Sequence, residues 1–477
     1  MTPPASEQSP EAPGAGEVAR PDVASSGGLF ARWRGLIEPG EAPALFAAAG
    51  AYFLLLAGYY MLRSLREAFA LEVGRDFIAT LFYITFVVMM VILPVYWFIV
   101  ARLPRRWLFP VIYSAVVVLF GVLAVGLGAE PGNRVLAATY FVAVTSLNLF
   151  IVSVFWSVMV DAWRSQSAKR LFGFIAAGGS AGAIAGPLFN ALFVERLGPS
   201  PTIFVACALI ALAIVVGRRA QQLEYGVTSG REQGRDRLAL PVGGRAIDDL
   251  RRLFTSPYLL AIAALIVGGQ VLGGFMYQEQ AKYVESAYQT LAERAALFAR
   301  IDLAVSLLAL VFQAGVVGLV ASRGGLRAAL GLVPALLIAS LVLLALIPVG
   351  VVLIVTQVFR RAVDYGLFKP TREMLFTILN PESKFKSKSL IDTLLQRGGD
   401  SLSQIAYPLV AGFGLAGVAW VLAGVSAVML AVAVWLGTVF GARESAAPPR
   451  RHPPPLLRSA LVTEYARPSR LKRSVFS

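Results

Sequence analysis

The chain has 477 residues, 57% of them hydrophobic and only 15% charged, with a formal net charge of +15. A soluble globular domain carries nearer a quarter charged residues, so the composition excludes one and reads as an all-α integral membrane protein. One cysteine, Cys207, and one histidine, His452, exclude an internal disulfide, a multi-histidine metal site and a Ser-His-Asp relay.

The chain opens with residues 1–42, rich in Pro, Ala, Gly and Glu, which read as a disordered tail with no cleavable signal. Apolar segments able to cross about 30 Å of hydrocarbon follow. They lie at 43–62, 77–101, 107–128, 135–160, 171–194, 201–217, 257–277, 298–320, 326–346, 349–368, 389–413 and 415–440, twelve in all. With the N-terminus inside, the short inner loops hold Arg102, Arg105 and Arg106, then Arg164, Lys169 and Arg170, then Arg323 and Arg327, then Lys384, Lys386 and Lys388. The outer loops balance. Arg63, Arg66 and Arg75 offset Glu67, Glu72 and Asp76, and Lys282, Arg294 and Arg300 offset Glu279, Glu285 and Glu293. The positive-inside rule predicts this asymmetry, with both termini cytoplasmic. The net positive charge is thus topological, and its partner is the bilayer rather than nucleic acid.

A polar, basic stretch at 218–256 separates six spans at 43–217 from six at 257–440, and a basic disordered tail follows at 441–477. Span five opens with KRLFGFIAAGGSAGAIAGP and span eleven with KSKSLIDTLLQRGGDSLSQIAYP, which share the paired glycines Gly178/Gly179 and Gly398/Gly399. Two six-helix halves joined by a cytoplasmic linker form the architecture of major facilitator transporters. The expected fold is therefore twelve transmembrane helices of that type. The stripe Gly178, Gly182 and Gly186 is expected to let span five pack closely on a neighbour. Tyr59 and Tyr60, beside Arg63 and Arg66 at the outer mouth of span one, read as an interface belt.

The informative charges lie in spans ten and eleven. In FRRAVDYGLFKPTREMLF (359–376), Arg360 and Arg361 fall about 18–20 Å along a span that enters near Pro348, and Asp364 about 24 Å along it. Arg397 and Asp400 fall about 12–17 Å into span eleven. A charge at that depth costs about 2.5–3.5 kcal/mol on insertion scales, so these side chains must face one another or a wet passage. Arg360–Asp364 and Lys369–Glu373 have i,i+4 spacing for pairing, with Pro370 loosening the helix between them. Pairing that only fixes helix packing would account for the first of these but leaves Arg361 and Arg372 uncompensated. Between 359 and 404 stand eight basic residues (Arg360, Arg361, Lys369, Arg372, Lys384, Lys386, Lys388, Arg397) against five acids (Asp364, Glu373, Glu382, Asp392, Asp400). That excess suits a polyanion. Four of the seven lysines lie at 369–388, and a mobile ammonium suits phosphate oxygens, though an ordinary inner loop would also contain them. There is no G-x-x-x-x-G-K-[ST] motif to hydrolyse ATP. An enzyme is not expected; energy for movement comes from a gradient or from exchange.

The blocks LNLFIVSVFWSVMVDAWRSQSAKRLFGFIAAGGSAGAIAGP and VDYGLFKPTREMLFTILNPESKFKSKSLIDTLLQRGGDS resemble the ATP:ADP antiporter family of obligate intracellular bacteria and plastids, nucleotide exchangers of major-facilitator-like fold. The resemblance covers about 45–440. It implies a substrate role for Arg66, matching the family's basic residue at the end of helix one, for Asp161 after the FW motif, and for Lys386 and Lys388 in the K-x-K-x-ID run. The family's acid in helix seven has no counterpart, because Gly274 stands about there. ATP/ADP exchange is therefore not to be assumed for this chain.

The expectation is an inner-membrane secondary transporter that exchanges a nucleotide or related phosphorylated anion by alternating access, without cofactor or metal and with no oligomer required. Arg66, Asp161, Arg360, Arg361, Lys369, Arg372, Lys386, Lys388 and Arg397 are candidates for the substrate site. Asp364, Glu373, Asp392 and Asp400 are candidates for gating or proton coupling. A proton-coupled transporter of another small molecule, using Asp364 or Asp400, and a non-transporting membrane scaffold or sensor remain open alternatives.

Overall fold

The computed structural model describes residues 40–102, 105–163, 165–228, 256–313, 317–375 and 395–446. Lys386, Lys388 and Asp392 lie outside them, as do most of both expected tails and the stretch 229–255. Every regular element described is helical: α1 (Ala42–Val73), a 3-10 turn (Arg75–Phe77), α2 (Ile78–Arg102), α3 (Arg105–Ala129), α4 (Arg134–Ala162), α5 (Ser165–Leu197), α6 (Pro199–Thr228), α7 (Pro257–Ala287), α8 (Leu291–Val311), α9 (Val317–Leu346), α10 (Gly350–Val363), a π-turn (Asp364–Phe368), α11 (Lys369–Leu375), α12 (Gln396–Ala406), α13 (Pro408–Ala411) and α14 (Gly414–Ala446).

Nine helices among the described residues are long and apolar enough to cross a membrane: α1 to α7, α9 and α14. Of the other expected spans, α8 is interrupted by Arg294, Arg300 and Asp302, and α10 is short. Large apolar side chains such as Val118, Val122 and Val125 on α3 face outward, as a surface against acyl chains requires. The chain is a multi-pass membrane protein.

Local sequence explains the helix ends. Asn133 caps α4 by accepting from the Val135 and Leu136 amides at 3.0 and 3.2 Å. Thr290 and Glu293 form a capping box on α8, each satisfying an otherwise orphan amide. The structure departs from the loop reading between spans one and two. No Gly or Pro stands between Gly58 and Gly74, where φ is +117°, so α1 runs straight through Arg63, Arg66 and Glu67. Tyr59 is 3% exposed and therefore not an interface belt. In the same way α7 continues past 277 to Ala287 and buries Glu279, and α6 continues past 217 to Thr228.

The glycine stripe packs as expected. A Cβ on Gly178, Gly182 or Gly186 would strike the carbonyl oxygens of Ala49, Phe53 and Ala57 in turn, so α5 lies backbone to backbone on α1. Helix α12 packs on α7 in the same manner, with Gly399 against Gln270 and Gly274 against Ser403. Further pairings also recur: α3 packs on α6 as α9 packs on α14, and α1 on α6 as α7 on α14. Contacts between the 42–228 and 256–446 stretches are made chiefly by α1 and α5 with α8, and by α2 with α12.

Candidate functional site

Helix α8 is the hub. It packs against α1, α5 and α10 and carries Asp302, 3% exposed, in the otherwise apolar run DLAVSLLALV. Arg361 of α10 donates from Nη2 to Asp302 Oδ1 at 2.5 Å, while Arg63 Nε of α1 stands 3.9 Å from Oδ2. Arg63 also donates to the Tyr365 hydroxyl at 3.2 Å, and its guanidinium lies 5.4 Å from the Tyr60 ring centre and 5.9 Å from that of Tyr365. Five residues from three separate helical segments thus converge where α1 meets the second stretch of the chain. Burying three charges here is tolerable only because they pair.

One turn further along α1, Arg66 is ion-paired with Glu67, donates to Thr145 Oγ1 at 3.3 Å and covers the Phe141 ring. Tyr277 of α7 faces Glu67 and stacks edge-on against Phe82 of α2 at 5.7 Å. Toward the other end of the bundle, Lys369 Nζ lies 3.7 Å from Asp364 Oδ2 and 4.1 Å from the Tyr365 ring centre. Lys369 follows the π-turn, and Pro370 explains that turn. Proline lacks the amide that would bond the Gly366 carbonyl, and its ring crowds that carbonyl, so the preceding backbone widens. The widened turn brings Tyr365 toward Arg63 and seats Gly366 against Ala309 and Phe312 of α8.

Several expected site residues converge and others do not. Arg66, Arg361 and Lys369 join the cluster. Arg360, expected to pair with Asp364, donates instead to Gln357 at 2.9 Å, and Asp364 is bridged by Lys369. Arg397 and Asp400 pair with each other at 3.3 Å, and Gln270 donates to Asp400 at 2.5 Å, which makes a separate α7–α12 cluster. Arg372 is buried on α11. Asp161 ends α4, and Glu373 lies on α11. Sequence reasoning passed over Asp302, Tyr365 and the site role of Arg63. The signal was present, because an acid inside an apolar span is by default a functional residue, but Asp302 was overlooked beside the outer-loop charges.

Further ties join the two stretches among the described residues. Arg300 pairs with Glu195 at 3.1 Å, Arg75 with Glu285 at 3.8 Å, and Ser306 donates to the Ala183 carbonyl at 3.3 Å. A cavity of about 810 Å³ lies elsewhere, between α2, α3 and α4. Ile84, Val88, Val111 and Phe150 line it, and its apolar wall suits acyl chains rather than an ion.

The arrangement is a cation-rich, aromatic-flanked cluster on the seam between two helical groups. Residues 329–444 match the TLC ATP/ADP transporter family model. The match runs from within α9 to near the end of α14, includes the block VDYGLFKPTREMLFTILNPESKFKSKSLIDTLLQRGGDS, and bears out the resemblance seen in the sequence. No curated protein matches. Among solved structures, a bacterial homologue of the iron transporter ferroportin in an inward-facing state is 14% identical, with TM-score 0.58, covering 83% of this chain and 98% of that one. A POT family transporter in complex with 5-aminolevulinic acid is 12% identical, with TM-score 0.56, covering 83% and 96%. A mutant of the nucleoside transporter NupG is 14% identical, with TM-score 0.51, covering 84% and 99%. At such identities the likeness shows the fold, which is that of major-facilitator-like transporters. With the family match, it makes this chain a transporter-type membrane protein and not an enzyme.

Proposed function

We propose that the protein is a secondary transporter that exchanges nucleotides or related phosphorylated anions by alternating access. Two six-helix halves, 43–217 and 257–440, rock about the seam between α1, α5 and α8, joined by a cytoplasmic linker at 218–256 and flanked by cytoplasmic tails, in the inner membrane. The observation that carries the reading is the excess of cation at the seam. Arg63, Arg66 and Arg361 face Glu67 and Asp302, while Arg360 donates to neutral Gln357 and shares the Asp364 charge with Lys369. A nucleotide supplies both missing elements, phosphate oxygens for the guanidinium forks and a base for the Tyr60 and Tyr365 rings. The family match at 329–444 supports the same cargo. Arg66, Arg361 and Lys369 are substrate ligands in this reading. Arg360 and Arg372 lie along the inner route and Asp364 serves as a gate partner there, while Asp161, Lys386, Lys388, Glu373 and Asp392 keep the roles expected from the sequence.

Reconstituted vesicles loaded with ADP and offered labelled ATP test it. Uptake is expected to require internal nucleotide. Uptake indifferent to internal nucleotide and abolished by collapsing a pH gradient overturns it in favour of proton coupling. The proton-coupled reading has its own observation, the partly buried Asp400 carboxylate held by Gln270 and Arg397.

A further inference from the structure

Asp302, like Glu67, is a member of the seam cluster that the exchange reading leaves without a task. It is an acid at a site built for an anion. Its Oδ1 is taken by Arg361 at 2.5 Å, whereas its buried Oδ2 accepts no hydrogen bond and has Arg63 only at 3.9 Å. Close by, Arg66 Nε and the Tyr59 hydroxyl are buried donors that also make no hydrogen bond, and Tyr59 feels the charges of both Arg63 and Arg66. Buried polar groups without partners are uncommon and call for an account. Here they point to one: two guanidiniums share a carboxylate too small to serve both. A carboxylate offers two oxygens and one charge. A phosphate group offers three oxygens and about −1.5 to −2 charges, and arginine forks bind it in the same planar, two-bond geometry.

We propose that Asp302 is a resident anion, a carboxylate that occupies on Arg63 and Arg361 the position taken by a phosphate of the cargo. The proposal rests on the exchange reading for the chemical class of the cargo. In the cargo-free chain Asp302 ties α1 to α8 and α10 and so holds the two helical groups together at this end. An arriving phosphate competes for the same two guanidiniums, and the carboxylate lets go as they turn to the cargo. Occupancy of the site is thereby linked to the contacts that keep this end shut, which is the differential interaction a ligand needs to shift a conformational equilibrium. Asp302 is in this sense a specificity device as well: a ligand must bring more negative charge and more oxygens than a carboxylate to win.

Full-length wild type and Asp302→Asn are titrated with inorganic pyrophosphate, read by thermal shift and by competition against labelled ADP. With the internal competitor gone, the half-saturating concentration is expected to fall about tenfold. Unchanged or weaker binding overturns the proposal, because a carboxylate that merely held helices together would give that result. Arg63→Gln, alone and combined with Asp302→Asn, provides a second arm in case the single Asn variant does not accumulate as folded protein. The double variant is expected to bind pyrophosphate more tightly than Arg63→Gln alone, and equal or weaker binding overturns the idea. ATP/ADP exchange by the wild type is measured alongside. Tighter pyrophosphate binding by Asp302→Asn without wild-type exchange rejects the nucleotide cargo and keeps the resident anion; exchange with unaltered pyrophosphate affinity does the reverse.

Discussion

The seam between α1, α8 and α10 and the contact between α7 and α12 hold the same kinds of residue at similar depth, yet their charges connect different things. At the seam, Arg63 reaches across 302 positions of sequence to Tyr365 and also to Asp302, and cations outnumber acids. Between α7 and α12, Arg397 pairs with Asp400 three residues away, Gln270 occupies the other carboxylate oxygen, and Glu279 is shared by Lys282 and Tyr407. Each of those pairs is neutral and lies within 256–446. A satisfied, balanced cluster fixes how two helices pack. An unbalanced one that spans two moving parts is fit to take a ligand and to register its arrival.

Arg361→Gln is expected to have the largest effect. It leaves Asp302 buried with only the 3.9 Å partner Arg63, and removing one member of a buried pair costs about 3–5 kcal/mol. Exchange into ADP-loaded vesicles should fall by about 100-fold or more, with Arg361→Lys recovering only part because an ammonium lacks the planar fork. Denaturant unfolding and initial uptake rates measure the two effects. Exchange at the wild-type rate would erase the distinction between the clusters.

Lys369→Gln separates stability from transport. The side chains of Lys369 and Asp364 are 44% and 35% exposed, so losing this pair should change stability by less than about 1 kcal/mol. The lost ammonium beside Tyr365 should still slow exchange by about tenfold. A drop in stability with unaltered exchange would make the pair a packing element like Arg397–Asp400. Tyr365→Phe is a finer probe: it removes only the hydroxyl that accepts from Arg63, worth about 1 kcal/mol or roughly fivefold in half-saturating nucleotide.

Much of the architecture was legible from hydropathy and loop charge, because lipid forbids unsatisfied backbone and leaves long apolar helices as the main solution. The glycine stripe on α5 was legible for a related reason, since three small residues one turn apart have few uses except close packing. Half of the site was legible too: Arg361 and Lys369 stood out as charges where none belongs. The seam itself was not. Charge counting assigned Arg63, Arg66 and Glu67 to a loop, although no Gly or Pro stands between Gly58 and Gly74, and a pairing rule based on i,i+4 spacing joined Arg360 to Asp364. The 360–364 step stays helical, but the π-turn that follows sets Lys369 five residues on from Asp364, its amide bonding the Asp364 carbonyl, and its ammonium takes the acid while Arg360 turns to Gln357. Which helix faces which across some 240 residues is a tertiary fact that no local pattern carries.

Asp400→Asn is expected to have the smallest effect and is the sharpest test of the comparison. Asparagine keeps an oxygen for the Gln270 amide that now reaches Oδ1 at 2.5 Å and loses only the charge facing Arg397, which stands 3.3 Å away on the same helix at i,i+3. Such local pairs are worth a few tenths of a kcal/mol on an exposed helix, and the partial burial here raises that to about 1 kcal/mol. Exchange of ATP against ADP should stay within about threefold of wild type, because in this reading the α7–α12 cluster positions helices and touches no cargo. If Asp400→Asn instead abolishes transport while the protein stays folded, the balanced cluster is the working one. Uptake by wild type that follows an imposed pH gradient would then identify Asp400 as the proton carrier and return the seam to a structural role.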